Sequence, residues 1–115
     1  MAVFLTLGYR EEHNPSPARL RYVLAHMEEF EGAEGFGVSL TCADTEWSLG
    51  TDRSGRAVWM NLSYTFHGRG RPRHMRDVPP DRVFSLWGLL TAGRLDEIER
   101  EPWLPGAGHR AETGA

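Results

Sequence analysis

The side chains in this chain best suited to hold a metal or attack a carbonyl are five histidines and one cysteine. Their spacing argues against both chemistries. His13, His26, His67, His74 and His109 are scattered, with no pair one helical turn apart; His67 and His74 share a segment but would need a third ligand from elsewhere. Cys42 alternates with Phe36, Val38 and Leu40, the pattern of a buried and inert thiol rather than an activated one. A single cysteine also excludes an internal disulfide and a cysteine-based metal cluster. There is no Gly-x-Ser-x-Gly elbow. Gly68-x-Gly70 is followed neither by Lys-Ser/Thr nor directly by a helix, so it is not a phosphate loop. Glu28, Glu29, Glu31 and Glu34 bunch at the end of a helical pattern, where negative charge mildly opposes the dipole. They read as a solvated face, with a surface for a basic partner left open. No catalytic group, no metal and no cofactor is expected.

Arginine offers a different chemistry. Arg69-Gly70-Arg71-Pro72, with Arg73 and Arg76 beside it, resembles the core of an AT-hook. In that motif glycine lets the backbone approach the floor of a narrow A·T-rich minor groove while the arginine heads enter its negative potential. The surroundings favour a solvated loop instead. Residues 1–63 carry 5 Arg against 9 acids, residues 64–82 carry 5 against 2, and the whole chain has net charge −3. A basic segment thus sits inside an acidic protein with no global field to draw it to nucleic acid.

The elements that must position these residues follow from hydrophobic period. Val3, Leu5, Leu7 and Tyr9 alternate as a first strand, and the polar stretch from Glu11 to Pro15 reads as a turn. Ser16-Pro17 gives a cap followed by proline at the first helical position. Leu20, Val23, Leu24, Met27 and Phe30 then predict an amphipathic helix over 17–31, ended by Gly32. Phe36 to Cys42 is a second strand, and Trp47 and Leu49 mark a short third one. Asp52-Arg53-Ser54-Gly55 is a hairpin loop whose glycine takes the position that commonly needs positive φ. A fourth strand runs to Phe66, followed by an exposed loop from His67 to Asp77. A helix from about Pro80 to Thr91 turns Val83, Phe84, Trp87 and Leu90 inward, Gly93 ends it, and Leu95–Arg100 adds a further turn or two.

The resulting order, β-α-β-β-β-α-α, predicts an α+β domain over residues 1–104. An antiparallel sheet of about four strands carries helices on one face, and residues 105–115 form a flexible tail. The short apolar N-terminus reads as a strand rather than a leader. No apolar run approaches the roughly 20 residues of a membrane helix, so a cytoplasmic protein without membrane contact is expected.

Trp59 carries the binding question. With Val58, Met60 and Leu62 toward the helices, Trp59 faces outward with Asn61, Ser63 and Thr65 and anchors a partner. The alternative is that the C-terminal segment folds over the open face and Trp103 stacks on Trp59.

Several segments together resemble one group of bacterial polymorphic-toxin immunity proteins, the first-numbered of the immunity families. They are Ser16-Pro17-Ala18-Arg19-Leu20 and Trp47-Ser48-Leu49-Gly50, then Val78-Pro79-Pro80-Asp81-Arg82-Val83, Thr91-Ala92-Gly93-Arg94 and the closing Trp103. The resemblance spans about residues 14–104. It departs at Leu95–Glu101, where the family commonly has a proline and a short β-segment, and at the basic loop Gly68–Arg76. What the resemblance implies is a non-enzymatic inhibitor that binds a cognate toxin domain, one acting on nucleic acid, and occludes its active site. Such a toxin presents a basic cleft, so acidic and aromatic residues should carry the contact. From charge and topology the candidates are Glu31, Glu34, Asp44, Glu46 and Asp52, with Trp47 and Trp59 as anchors, Asn61 beside them, and Arg53 at the hairpin tip.

Overall fold

The computed structural model describes residues 2–8, 10–30, 37–64 and 68–108. The chain is α+β, but its sheet is larger than the expected four strands. Among the described residues seven strands form one antiparallel sheet in the order β2-β1-β3-β4-β5-β6-β7. The strands are β1 (Val3–Leu7), β2 (Arg10–His13), β3 (Val38–Cys42), β4 (Trp47–Thr51), β5 (Ala57–Asn61), β6 (Arg73–Met75) and β7 (Leu104–Pro105). The helices are α1 (Pro17–Ala25), α2 (Pro80–Thr91) and α3 (Leu95–Glu99), with a 3-10 turn at Met27–Glu29.

The helix starts follow their sequence signals. The Ser16 hydroxyl accepts from the Arg19 amide and Pro17 opens α1, while Pro79 and Pro80 lead into α2. α1 is shorter than predicted, stopping at Ala25 with the tighter turn after it. The predicted helix end at Glu31–Gly32 lies outside the described residues. Gly55 and Gly93 take φ of +87° and +76°, so the hairpin and the end of α2 turn where a side chain would be strained.

Sheet register settles which side chains share the core. Leu5, Leu40, Leu49, Trp59 and Arg73 stand in one row across five strands. Opposite partners in an antiparallel pair point to the same side, so these residues share a face with Val3, Leu7, Val38, Cys42, Ala57 and Met75. All of the buried apolar sheet residues belong to that face, where they pack with Leu20, Val23 and Leu24 of α1, Val83, Leu86, Trp87 and Leu90 of α2, and Ile98 of α3. Phe84, expected inward, is half-buried under the Arg21 guanidinium, 4.0 Å from the ring centroid.

This reverses the expected phase of β5. Ala57, Trp59 and Asn61 face the helices, and Val58 and Met60 face away. Both alternations are apolar enough to read as a core face. The indole has the larger area to bury, about 150–250 Å², and a one-residue shift exchanges every side chain between faces. β5 also ends at Asn61 rather than running to Phe66; Thr65, Phe66 and His67 lie outside the described residues. Two predicted loops contain strands: β2 occupies the expected turn at 11–15, and β6 lies within the expected loop at 67–77. The start of the expected tail is attached as far as Gly108: Pro105 pairs with β6, and His74, Arg56 and Arg76 reach the carbonyls of Gly106, Ala107 and Gly108. No helix among the described residues is long and apolar enough to cross a membrane.

Candidate functional site

Three indoles stack at one side of the core. Trp59 lies between Trp47 (ring centroids 4.7 Å apart) and Trp103 (6.3 Å), with interplanar angles of 16° and 18°. The Trp59 Nε1–H donates to Glu99 Oε1 at 3.0 Å, and the same oxygen accepts from Arg73 Nη2 at 2.7 Å. The Arg73 hydrogen bond holds the Glu99 carboxyl below its ordinary range; burial opposes that shift and the indole hydrogen bond adds to it. Trp59 has 0% exposure and cannot be the outward anchor one reading of the sequence made it. The other reading, Trp103 stacked on Trp59, matches the geometry, though the stack lies on the helix face and not the open one.

Beside the stack, one end of the sheet is built as a rigid turn. The Asn61 carboxamide donates from Nδ2 to the Thr45 carbonyl at 2.8 Å and accepts the Ser63 amide at 2.9 Å. The Leu62 amide donates to the Glu46 carbonyl at 2.9 Å, and the Ser63 hydroxyl donates to the Glu46 carboxylate. Glu46 sits at φ +65°, a left-handed conformation that these bonds must hold. The Asn61 amide donates to the Gly70 carbonyl. Gly70 itself packs so closely that an added Cβ would lie 2.4 Å from Asn61 Cβ and 3.1 Å from Trp47 Cη2. Asp44, Glu46, Trp47 and Asn61 are thus gathered at one sheet end. Asp44 and Glu46 are exposed, Trp47 is half-buried and Asn61 is buried as the brace. Leu62 joins them with 46% exposure, a residue the sequence reading placed in the core.

Asp52 and Arg53 do not belong to this group. β4 separates the two turns by roughly 15 Å of extended chain. Asp52 is engaged inside its own hairpin, accepting from the Ser54 amide and hydroxyl and pairing with Arg56 at 3.1 Å. Arg53 is exposed at the tip. Glu31 and Glu34 lie outside the described residues.

The arginine segment is docked rather than free. Arg69 and Arg71 are exposed, but Gly70 between them is fixed against the sheet. Arg73 is paired with Glu99, and Arg76 donates to the Gly108 carbonyl at 3.2 Å. His74 is buried and contacts the Gly106 carbonyl through Nδ1 at 2.9 Å. His26 stacks on Tyr22 at 4.2 Å, and His13 lies tilted against Phe4 at 6.0 Å. His67 and His109 lie outside the described residues. Among the described residues no group of three or more His, Cys, Asp or Glu is placed to hold a metal ion.

Sequence reasoning expected an open sheet face but put Trp59 on it in place of Val58 and Met60, and it missed a surface on α1. Phe4, Thr6, Ser39, Thr41, Ser48, Gly50, Val58 and Met60 lie on the sheet face turned away from the three helices, with Glu11 and His13 on β2 and His74 on β6 at its two sides. On α1, Tyr22 (42% exposed) stacks on His26 and donates to Glu29 at 2.9 Å, with the Arg19 guanidinium 5.6 Å from its ring. That hydrogen bond, with the Glu29 charge, raises the Tyr22 pKa. The i,i+4 spacing of Tyr22 and His26 was the available signal.

Comparison with protein-family models, with curated proteins and with solved structures gave no match.

Proposed function

We propose that this protein is a protein-binding inhibitor of the toxin-immunity type. In this reading it engages a cognate toxin domain that acts on nucleic acid, in the cytoplasm, and occludes its active site without catalysis or a cofactor of its own. The observation that carries the reading is the Asp44–Glu46 turn. Two acidic side chains stand exposed beside Leu62 on a backbone braced by the Asn61 carboxamide and the Leu62 amide. A domain that handles nucleic acid has a positive cleft, and acids on its inhibitor steer and orient the encounter. A braced turn loses little freedom on binding, so more of the contact energy is retained as affinity. Trp47 supports the same surface from the side, stacked on the buried Trp59. The segments quoted above supply the family part of the proposal, and the α+β class of the domain is in keeping with it.

Growth rescue tests it. Co-expression with a toxin domain found encoded beside this chain should protect cells, and the double substitution Asp44→Arg/Glu46→Arg should abolish protection while leaving soluble, folded protein. Full protection by that variant would remove this turn from the contact. The nucleic-acid alternative, through Arg69, Arg71, Arg73 and Arg76, is less favoured because Arg73 and Arg76 are engaged within the domain. It would be revived by a salt-sensitive shift of A·T-rich duplex at 50 mM salt.

A further inference from the structure

We propose that residues 104–108 form a detachable strap, a segment that opens as a local unit while the rest of the domain stays folded. Its attachment differs in kind from that of the other strands. β7 has two residues, paired with Arg73 and His74 of β6, and one of them is Pro105, which has no amide to donate. Leu104 is 49% exposed, and none of residues 104–108 belongs to the hydrophobic core.

What holds the strap is a set of side chains reaching its carbonyls in succession. His74 Nδ1 meets the Gly106 carbonyl at 2.9 Å, Arg56 Nη1 donates to the Ala107 carbonyl at 3.1 Å, and Arg76 Nη2 donates to the Gly108 carbonyl at 3.2 Å. Because a carbonyl only accepts, the His74 proton must sit on Nδ1. Arg56 is aimed by Asp52, which binds its Nε and Nη2 at 3.1 Å each. The β4–β5 hairpin is itself tied down, since the Gly55 carbonyl accepts the Val78 amide at 2.8 Å. The clasp therefore stays in place when the strap leaves. Glycine is required at the far end of the strap. Gly108 has φ +74°, and a Cβ there would lie 2.6 Å from the His74 ring.

A segment held by polar contacts, with little buried apolar area, sits at the low end of the range of local opening energies. Its departure would uncover His74 and the outer edge of β6 at the margin of the sheet face that no described helix covers. The strap is thus a built-in cover for an otherwise pairable strand edge. The proposal is independent of the inhibitor reading.

Hydrogen–deuterium exchange on the full chain tests it, comparing a peptide spanning 102–108 with one spanning β4. In the wild type the strap should be protected yet exchange well before β4. Arg76→Ala should speed strap exchange about tenfold, the loss of one hydrogen bond from a charged donor, with β4 unchanged; Arg56→Ala, which also breaks the Asp52 pair, should speed the strap more than β4. Gly108→Ala should act in the same direction by a different route. Strap and β4 exchanging together in the wild type, a strap with no protection at all, or arginine variants that speed β4 equally would each overturn the proposal.

Discussion

The two turns that flank β4 look alike in sequence and differ in what their acids do. Ala43–Glu46 leads into the strand and Asp52–Arg56 leaves it; each has exposed backbone and carboxylates close to a tryptophan or arginine. In the second turn Asp52 is enclosed by Ser54 and Arg56, and Arg56 passes the connection on to Ala107. That carboxylate holds the fold. In the first turn Asn61 braces the backbone, and Glu46 takes one hydroxyl hydrogen bond while remaining exposed with Asp44. Composition marks acidic turns equally, whereas the position of an internal cation decides which of them keeps its carboxylates exposed.

Substitutions can sharpen that contrast. The largest effect should come from neither turn but from the stack beside the first. Trp59→Ala deletes a fully buried indole and should lower stability by about 3–5 kcal/mol in urea unfolding. Any loss of protection it causes should track loss of soluble protein. Asp52→Ala should come next, costing about 1–3 kcal/mol by leaving Arg56 without its paired carboxylate, with protection intact in whatever protein remains folded.

A third effect depends on pH. Glu99 and Glu12 both have folded-state values held below the ordinary carboxylate range, by Arg73 and Arg19 respectively. As pH falls through that range the unfolded chain takes up protons first, so stability declines with acidification and is fully restored above it. Glu99→Gln should therefore flatten the acid limb of the stability–pH curve relative to wild type. The smallest change in stability, about 1 kcal/mol, should follow Asp44→Arg/Glu46→Arg, because the Glu46 carboxylate gives up the Ser63 hydroxyl while the Asn61 and Leu62 bonds to the turn backbone remain.

What could be read from sequence tracked how local the signals were. Ser16-Pro17, Pro80–Thr91, Gly55 and Gly93 fix their elements through caps, fixed φ and positive φ, and the structure follows them. β2 was not legible because Arg10-Glu11-Glu12-His13 is an edge strand with charge in place of alternation, the composition that discourages edge pairing. β6 and β7 have three and two residues and exist only through long-range pairing. The phase of β5 was ambiguous because Ala57-Trp59 and Val58-Met60 both offer apolar alternation. The exposure of Asp44 and Glu46 was legible, because it follows from a tight turn. Exposure was misread at Trp59, where Trp47, Trp103 and Glu99 converge from distant segments.

Whether the Asp44–Glu46 turn is the contact surface is decided by growth rescue with the Asp44→Arg/Glu46→Arg variant. Wild type should protect against a toxin domain encoded beside it, and the double variant, its melting temperature lowered by no more than about 8 °C, should not. Equal protection by both, or no protection by the wild type, would contradict it.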